Sequence, residues 1–231
     1  MLAVQNLSFS YGAIQVLDDI TMLMPAGRIT CILGRNGAGK STLLMNLMGL
    51  LRPTIGVVML GEQDLTDLPA DRRNAAGLGL VPQGRRIFAR LTVEENLRVG
   101  LTARNRRATT IPEDIYDLFP VLRTMSRRRG GDLSGGQQQQ LAIARALMSD
   151  PAVLLLDEPT EGIQPNVIQH IGQVLTRLVA ERGLTIVMVE QYLDFVKEIG
   201  DRFYVLDRRR VVAEGLTVDL STDLVHRHLS V

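Results

Sequence analysis

Three short stretches carry side chains whose types and spacing suit phosphate chemistry. The first is Gly34-Arg35-Asn36-Gly37-Ala38-Gly39-Lys40-Ser41-Thr42. It follows an apolar run, Ile29 to Leu33, that reads as a buried strand, and precedes Leu43 to Met48, which reads as a helix. A strand, a glycine-rich turn and a helix start with the spacing G-x-x-x-x-G-K-S form the P-loop. Gly37 and Gly39 reach backbone angles closed to other residues and place no side chain between the main chain and an anion. The N–H groups from Gly37 to Thr42 can then converge on phosphate, aided by the positive end of the helix dipole. Lys40 would reach the β- and γ-phosphates, and the Ser41 hydroxyl would hold Mg²⁺.

The second stretch is Val153-Leu154-Leu155-Leu156 running straight into Asp157-Glu158. Parallel strands present ligand-facing groups at their carboxyl ends. With a P-loop upstream, Asp157 can hold Mg²⁺ opposite Ser41, as the corresponding carboxylate of P-loop enzymes does. Side chains alternate along a strand, so Glu158 is expected to point elsewhere and to serve as general base toward a water. The third stretch is Leu133-Ser134-Gly135-Gly136-Gln137, ahead of the helical run Gln138 to Met148. Small residues at a helix start again offer N–H groups and a hydroxyl to an anion. Geometry alone leaves a second anion site and a plain flexible cap equally open.

These groups need a scaffold that brings distant stretches together. Strands are expected at 2–9 and 16–24 around a turn at Tyr11-Gly12, then at 57–60 and 78–81, with a helix at 69–76 between them. From about Leu91 to Asp150 strand signals vanish. Thr92-Val93-Glu94-Glu95 and Thr110-Ile111-Pro112-Glu113 both match a capping box, in which Thr and Glu satisfy each other's helix-end N–H groups. Strands return at 152–157, 184–189 and 202–206, with helices at 165–182 and 191–200, the first framed by Pro165 and Gly183. Alternating strands and helices imply a mostly parallel sheet covered on both faces. The expected fold is α/β: a P-loop core with an antiparallel N-terminal β subdomain at 1–90 and 151–231, and an inserted helical subdomain at 91–150.

Composition narrows the class. The chain has 231 residues, 45% of them hydrophobic and 22% charged, with a net charge of +1. That balance gives no electrostatic argument for nucleic acid. Arg104-Arg106-Arg107 and Arg127-Arg128-Arg129 are short and lack interleaved aromatics. The single cysteine, Cys31, reads as a buried filler inside the strand before the P-loop. No apolar run approaches membrane-spanning length, and the first residues do not resemble a signal peptide. A cytoplasmic location follows, with any membrane association made through a partner. The histidines His170, His226 and His228 lie outside every motif and are expected at the surface.

Taken together, Gly34 to Thr42, Gln83, Leu133 to Gln137 and Val153 to Glu158 resemble, in order and spacing, the ATP-binding subunits of ABC transporters. The resemblance spans essentially the whole chain, and Leu-Ser-Gly-Gly-Gln is close to diagnostic. It implies that two such subunits face each other head to tail, with ATP on one P-loop closed over by Ser134, Gly135, Gly136 and Gln137 of the other. Hydrolysis would reopen the sandwich and drive two membrane permease subunits, fed by a substrate-binding protein, from the cytoplasmic face of the cell membrane. It also implies that Tyr11 stacks on adenine and that Gln83 contacts Mg²⁺ or the attacking water. Arg85 to Arg90, with Phe88 as anchor, would receive a helix of the membrane subunit.

Two positions depart from the family. A histidine usually follows the strand at 184–189; this chain reads Val189-Glu190-Gln191. Gln191 can donate a hydrogen bond but cannot carry charge or transfer a proton as histidine does. The loop after Glu158, which often ends in aspartate, reads Glu161-Gly162-Ile163-Gln164. Weaker or more partner-dependent hydrolysis is expected, with Glu158 still in place. Glu190-Gln191 resembles the branched-chain amino acid transporter branch. Within it, Arg129 to Ile143, Asp157 to Pro165 and Val81 to Phe88 are similar to urea-transporter ATP-binding subunits. The expected function is therefore an ATPase powering import of urea or a short-chain amide. The alternatives are the same role in a branched-chain amino acid importer, a soluble ABC-type ATPase of iron–sulfur assembly or DNA repair, and a nucleotide-binding regulator without turnover. The branch normally pairs two different ATPase chains, so a heterodimer is expected in the cell and a homodimer is open to the isolated chain.

Overall fold

The computed structural model describes residues 1–104 and 110–221. In chain order these form β1 (Leu2–Tyr11), β2 (Ile14–Met24), β3 (Ile29–Gly34), α1 (Lys40–Met48), β4 (Ile55–Leu60), β5 (Gln63–Asp64), α2 (Ala70–Ala75) and β6 (Leu78–Val81). Four helices follow: α3 (Val93–Arg104), α4 (Glu113–Leu118), α5 (Pro120–Thr124) and α6 (Gly135–Leu147). The chain then runs through β7 (Val153–Asp157), α7 (Pro165–Arg182), β8 (Thr185–Val189), α8 (Leu193–Ile199), β9 (Arg202–Asp207) and β10 (Arg210–Leu216).

Two sheets result. The first is antiparallel in the order β2-β1-β4-β5, and the second has the order β10-β9-β3-β8-β7-β6. Within the second, β9, β3, β8, β7 and β6 are parallel, and β10 closes one edge antiparallel to β9. This is the expected α/β fold with its antiparallel β subdomain. Every residue of β3, β7 and β8 is buried, which explains why these strands read as unbroken apolar runs. Alternate side chains enter opposite cores. Cys31, Leu33, Leu154 and Leu156 join the side that holds the helices α3 to α8. Ile32, Val153 and Leu155 join Leu43, Leu44 and Leu47 of α1 and the inner face of the antiparallel sheet. The P-loop helix is thus packed between the two sheets, which fixes the loop at its start.

The helices α3 to α6 lie in sequence between β6 and β7, which are hydrogen-bonded neighbours. Leu97, Phe119 and Leu141 of this stretch pack in the same apolar cluster as Leu154 and Leu156. Among the described residues no helix is long and apolar enough to cross a membrane.

Several local expectations are corrected. Thr92 and Glu95 do form a capping box, with Thr92 N–H donating to Glu95 Oε2 at 2.7 Å and Glu95 N–H to Thr92 Oγ1 at 3.2 Å. Thr110 does not: α4 starts at Glu113 with Pro112 as its N-cap and no side-chain cap. The proline ring disfavours helical angles at the preceding Ile111, so the helix cannot begin before it. His170 is half-buried rather than at the surface, 3.1 Å from the Leu118 carbonyl and edge-on to Phe119. The last described stretch forms β10, a strand absent from the sequence expectations, followed by a 3₁₀ turn at Thr217–Asp219. Arg106, Arg107, His226 and His228 lie outside the described residues. Cys31 is fully buried, as expected, and burial pushes its thiol pKa up.

Candidate active site

The site forms where β3, β6, β7 and β8, all parallel, end at the same edge of the sheet. The loop after β3 turns at Gly39, whose φ is +98°, and α1 starts there with no side-chain cap. A Cβ on Gly39 would come within 2.9 Å of Leu17 Cδ2 and 3.0 Å of the Val16 carbonyl oxygen, so the β1–β2 hairpin leaves room for glycine alone. An uncapped helix start aims its first-turn amides at an anion.

Lys40 is buried, and its Nζ donates to the carbonyls of Gly34 at 2.8 Å and Arg35 at 3.0 Å. It lies 4.0 Å from Glu158 Oε1. Burial holds its pKa below the ordinary lysine value, with Glu158 and Asp157 opposing that shift. The Ser41 hydroxyl donates to Asp157 Oδ1 at 3.2 Å. Burial raises the Asp157 pKa, and the Ser41 hydrogen bond partly offsets it. Among the described residues no group of three or more His, Cys, Asp or Glu side chains is placed to hold a metal alone. The adjacent Ser41 and Asp157 oxygens instead suit Mg²⁺, a hard ion that takes few protein ligands and completes its shell with phosphate and water oxygens.

Glu158 lies just beyond the end of β7 with φ +48°, its N–H donating to the Val189 carbonyl at 2.9 Å. Its direction is therefore set by a left-handed turn, and the alternation expected from a continuing strand does not apply. Two amides clamp it. Gln83 Nε2 donates to Glu158 Oε2 at 3.0 Å and to Glu161 Oε2 at 3.1 Å. Gln191 Nε2 donates to Glu158 Oε1 at 2.5 Å and to Asn36 Oδ1 at 2.9 Å. Three loops distant in sequence thus meet on one carboxylate, and Gln191 links a fourth through Asn36. The cleft around it, about 550 Å³, is lined by Asn36, Gln83, Glu158, Thr160, Glu161, Glu190, Gln191 and Tyr192. A carboxylate held by two neutral donors, beside a lysine and a Ser–Asp pair, can orient a water and take its proton.

The remaining candidates lie elsewhere. Ser134 and Gln137 form a reciprocal capping box at the start of α6: Ser134 N–H donates to Gln137 Oε1 at 2.9 Å, and Gln137 N–H to Ser134 Oγ at 3.4 Å. Ser134 is exposed, and none of Ser134, Gly135, Gly136 and Gln137 lines the Glu158 cleft. Tyr11 is 48% exposed, with its ring edge-on to Phe9 at 4.8 Å, so it is no core residue. Phe88 is 45% exposed beneath the Arg145 guanidinium, which lies 5.0 Å from the ring centre. It borders a largely apolar groove with Met48, Leu50, Leu80 and Val99.

Sequence reasoning missed Thr160 and Glu190, both buried and bonded to each other beside the clamp. The signal for Glu190 was present: a carboxylate directly after a strand as apolar as Thr185–Val189 has no solvent of its own. It also missed Asn96, whose side chain bonds Phe88 N–H, Phe88 O and Thr92 O and fixes the loop that carries Phe88. Nothing in the sequence marks that asparagine.

A family model described as ABC transporter matches residues 17–161. The high-affinity branched-chain amino acid transport ATP-binding protein BraG of Pseudomonas aeruginosa is 41% identical over 224 residues, 96% of each chain. The probable branched-chain amino acid transport ATP-binding protein LivF of Archaeoglobus fulgidus is 37% identical over 221 residues, covering 95% of this chain and 94% of the relative. Among solved structures, the ATP-binding cassette MJ0796, as a dimer in a post-hydrolysis state with ADP and Pi, superposes with a TM-score of 0.85 at 28% identity. That match covers 94% of this chain and 99% of the other.

Proposed function

The chain belongs to the ABC transporter family as an ATP-hydrolysing subunit, and from that premise we propose that it powers import of a branched-chain amino acid. Of the two cargo readings, the relatives BraG and LivF support this one, while the urea reading keeps only its sequence resemblance. The observation that carries the mechanism is the clamp on Glu158. The P-loop amides and Lys40 bind the triphosphate; Ser41 with Asp157 would hold Mg²⁺, which would supply positive charge to the phosphate oxygens. Glu158 takes a proton from the attacking water as the new P–O bond forms and ADP leaves. Gln83 and Gln191 fix the carboxylate from either side. Gln191 supplies no charge, so turnover is slower and more partner-dependent than with histidine.

Tyr11, on the hairpin that abuts Gly39, stacks on adenine. Asn36, Gly37, Ala38, Gly39 and Thr42 complete the phosphate cradle. Ser134 to Gln137 lie off the cleft with Ser134 exposed, which supports their closing over ATP bound to an opposing subunit, identical or not. The groove at Phe88 receives a helix of a permease subunit, and residues 91–150, which carry Ser134 to Gln137 and the Val99 and Arg145 side of that groove, act as one helical unit. The chain therefore works at the cytoplasmic face of the membrane, held there by its permeases. The test is ATP-dependent accumulation of labelled leucine and of labelled urea in vesicles holding the complete transporter. Leucine uptake abolished by Glu158→Gln supports the proposal. Urea uptake without leucine uptake overturns the cargo, and neither solute moving overturns both readings.

A further inference from the structure

We propose that Glu190 is a positioning residue for hydrolysis, clasping the loop after β7 to the loop after β8 so that Gln191 and Glu158 stay in register. The side chain is 2% exposed. Its Oε1 accepts from Thr160 N–H at 3.0 Å and from the Thr160 hydroxyl at 2.7 Å. Its Oε2 accepts from Gln191 N–H at 2.8 Å and from Tyr192 N–H at 3.1 Å. Glu190 N–H donates to the Ile32 carbonyl at 3.2 Å, which ties the clasp to the strand that feeds the P-loop.

The geometry gives the clasp one end on each side of the clamp. Gln191, whose amide holds Glu158 and Asn36, is the very next residue. Thr160, at the other end, lies two residues after Glu158 in the same turn. Four donors converge on the two oxygens, and a carboxylate accepts all four because it presents acceptors only. Glutamine has the same shape and only one acceptor oxygen. Whichever way its amide turns, an NH₂ group meets backbone N–H donors, and one of the two loops is released. Thr160→Val removes one hydroxyl donor and leaves the backbone bonds, so it weakens the clasp without breaking it. Thr160→Ser keeps the hydroxyl.

This inference rests on Glu158 acting as the base. The side-chain hydrogen bonds of Glu190 run to Thr160, Gln191 and Tyr192 and not to Lys40 or Ser41, so the clasp serves turnover rather than ATP affinity. The test is steady-state phosphate release from MgATP by the complete transporter, with kcat and KM measured for each variant. Glu190→Gln is expected to lower kcat by up to about tenfold, no more than the loss of the Gln191 amide that it positions. KM for ATP should stay within about twofold, because the binding contacts are untouched. Thr160→Val should lower kcat less, and Thr160→Ser should restore it. In a Gln191→Ala background, where the positioned amide is gone, Glu190→Gln should cost no more than about twofold further.

Equal losses from Glu190→Gln in both backgrounds, or Thr160→Ser as damaging as Thr160→Val, would overturn the proposal in favour of a purely structural carboxylate. The Thr160 pair carries the test if Glu190→Gln fails to fold. Wild-type turnover by Glu158→Gln would instead overturn the reading of the base, whatever the Glu190 variants do.

Discussion

Arg73 offers a test of how the P-loop helix is anchored. The side chain is 1% exposed and ends α1 from outside the helix. Its Nη1 donates to the carbonyls of Asn46 at 2.6 Å and Leu47 at 2.8 Å, Nε to Leu68 O at 2.9 Å, and Nη2 to Thr66 O at 2.8 Å. The last carbonyls of a helix have no partner within it, so one guanidinium caps α1 and pins the 66–68 turn at once. Arg73→Met keeps comparable bulk and removes all four donors. Asn46 O keeps a bond from Gly49 N–H; the other three carbonyls lose the guanidinium. At about 1.5 kcal/mol for each bond to a charged donor, the loss is about 4–5 kcal/mol. Relief from burying the guanidinium, whose pKa burial depresses, returns part of it and leaves about 2–4 kcal/mol. For a chain of this size that is a fall in Tm of roughly 5–15 °C. Urea unfolding of the purified chain, followed by circular dichroism, reads the loss directly. ATP affinity should fall with it, because Lys40 and Ser41 ride on the same helix. A loss below about 1 kcal/mol with an unchanged denaturant slope would refute the reasoning and make Arg73 dispensable to α1.

Gln191→Ala should lower kcat for ATP by about tenfold, the worth of one charge-assisted hydrogen bond of about 1.4 kcal/mol. Gln191→His should keep or raise turnover; a histidine variant as slow as the alanine one would contradict the clamp. The β9–β10 turn places Arg208 at φ +44° and Arg209 at φ +75°, angles that asparagine and glycine tolerate better. Replacing the pair by Asn-Gly should stabilise the chain by about 1–2 kcal/mol, read as a raised urea midpoint. The Thr92 backbone N–H, then its hydroxyl, hold the Glu95 carboxyl below its ordinary pKa. The folded pKa lies below the unfolded one, so this capping contribution is complete above about pH 4.5 and fades as pH falls through the lowered value. Glu95→Gln should therefore flatten the acid side of the stability curve between about pH 5 and pH 3, followed by thermal melts.

What the sequence disclosed was local. The P-loop is contiguous, its glycines and Lys40-Ser41 are set by spacing, and the apolar runs of β3, β7 and β8 announce strands buried on both faces. β10 went unseen because Arg208-Arg209 lacks the glycine or asparagine that marks a tight hairpin. Glu158 was assigned its role for a reason that does not hold: a left-handed turn, not strand alternation, aims it. The clamp itself was out of reach, since Asn36, Gln83, Glu158 and Gln191 meet only once four strands are side by side. Glu190 was read as a mark of kinship, and its four hydrogen bonds became visible only with the two loops in contact.

The central claim is that Glu158, held by Gln83 and Gln191, activates the water that attacks ATP. Phosphate release by the complete transporter at saturating MgATP, wild type against Glu158→Gln, tests it most directly. A fall in kcat of about 10²- to 10⁴-fold with ATP still bound is the expected result. Equal rates for the two proteins would contradict it.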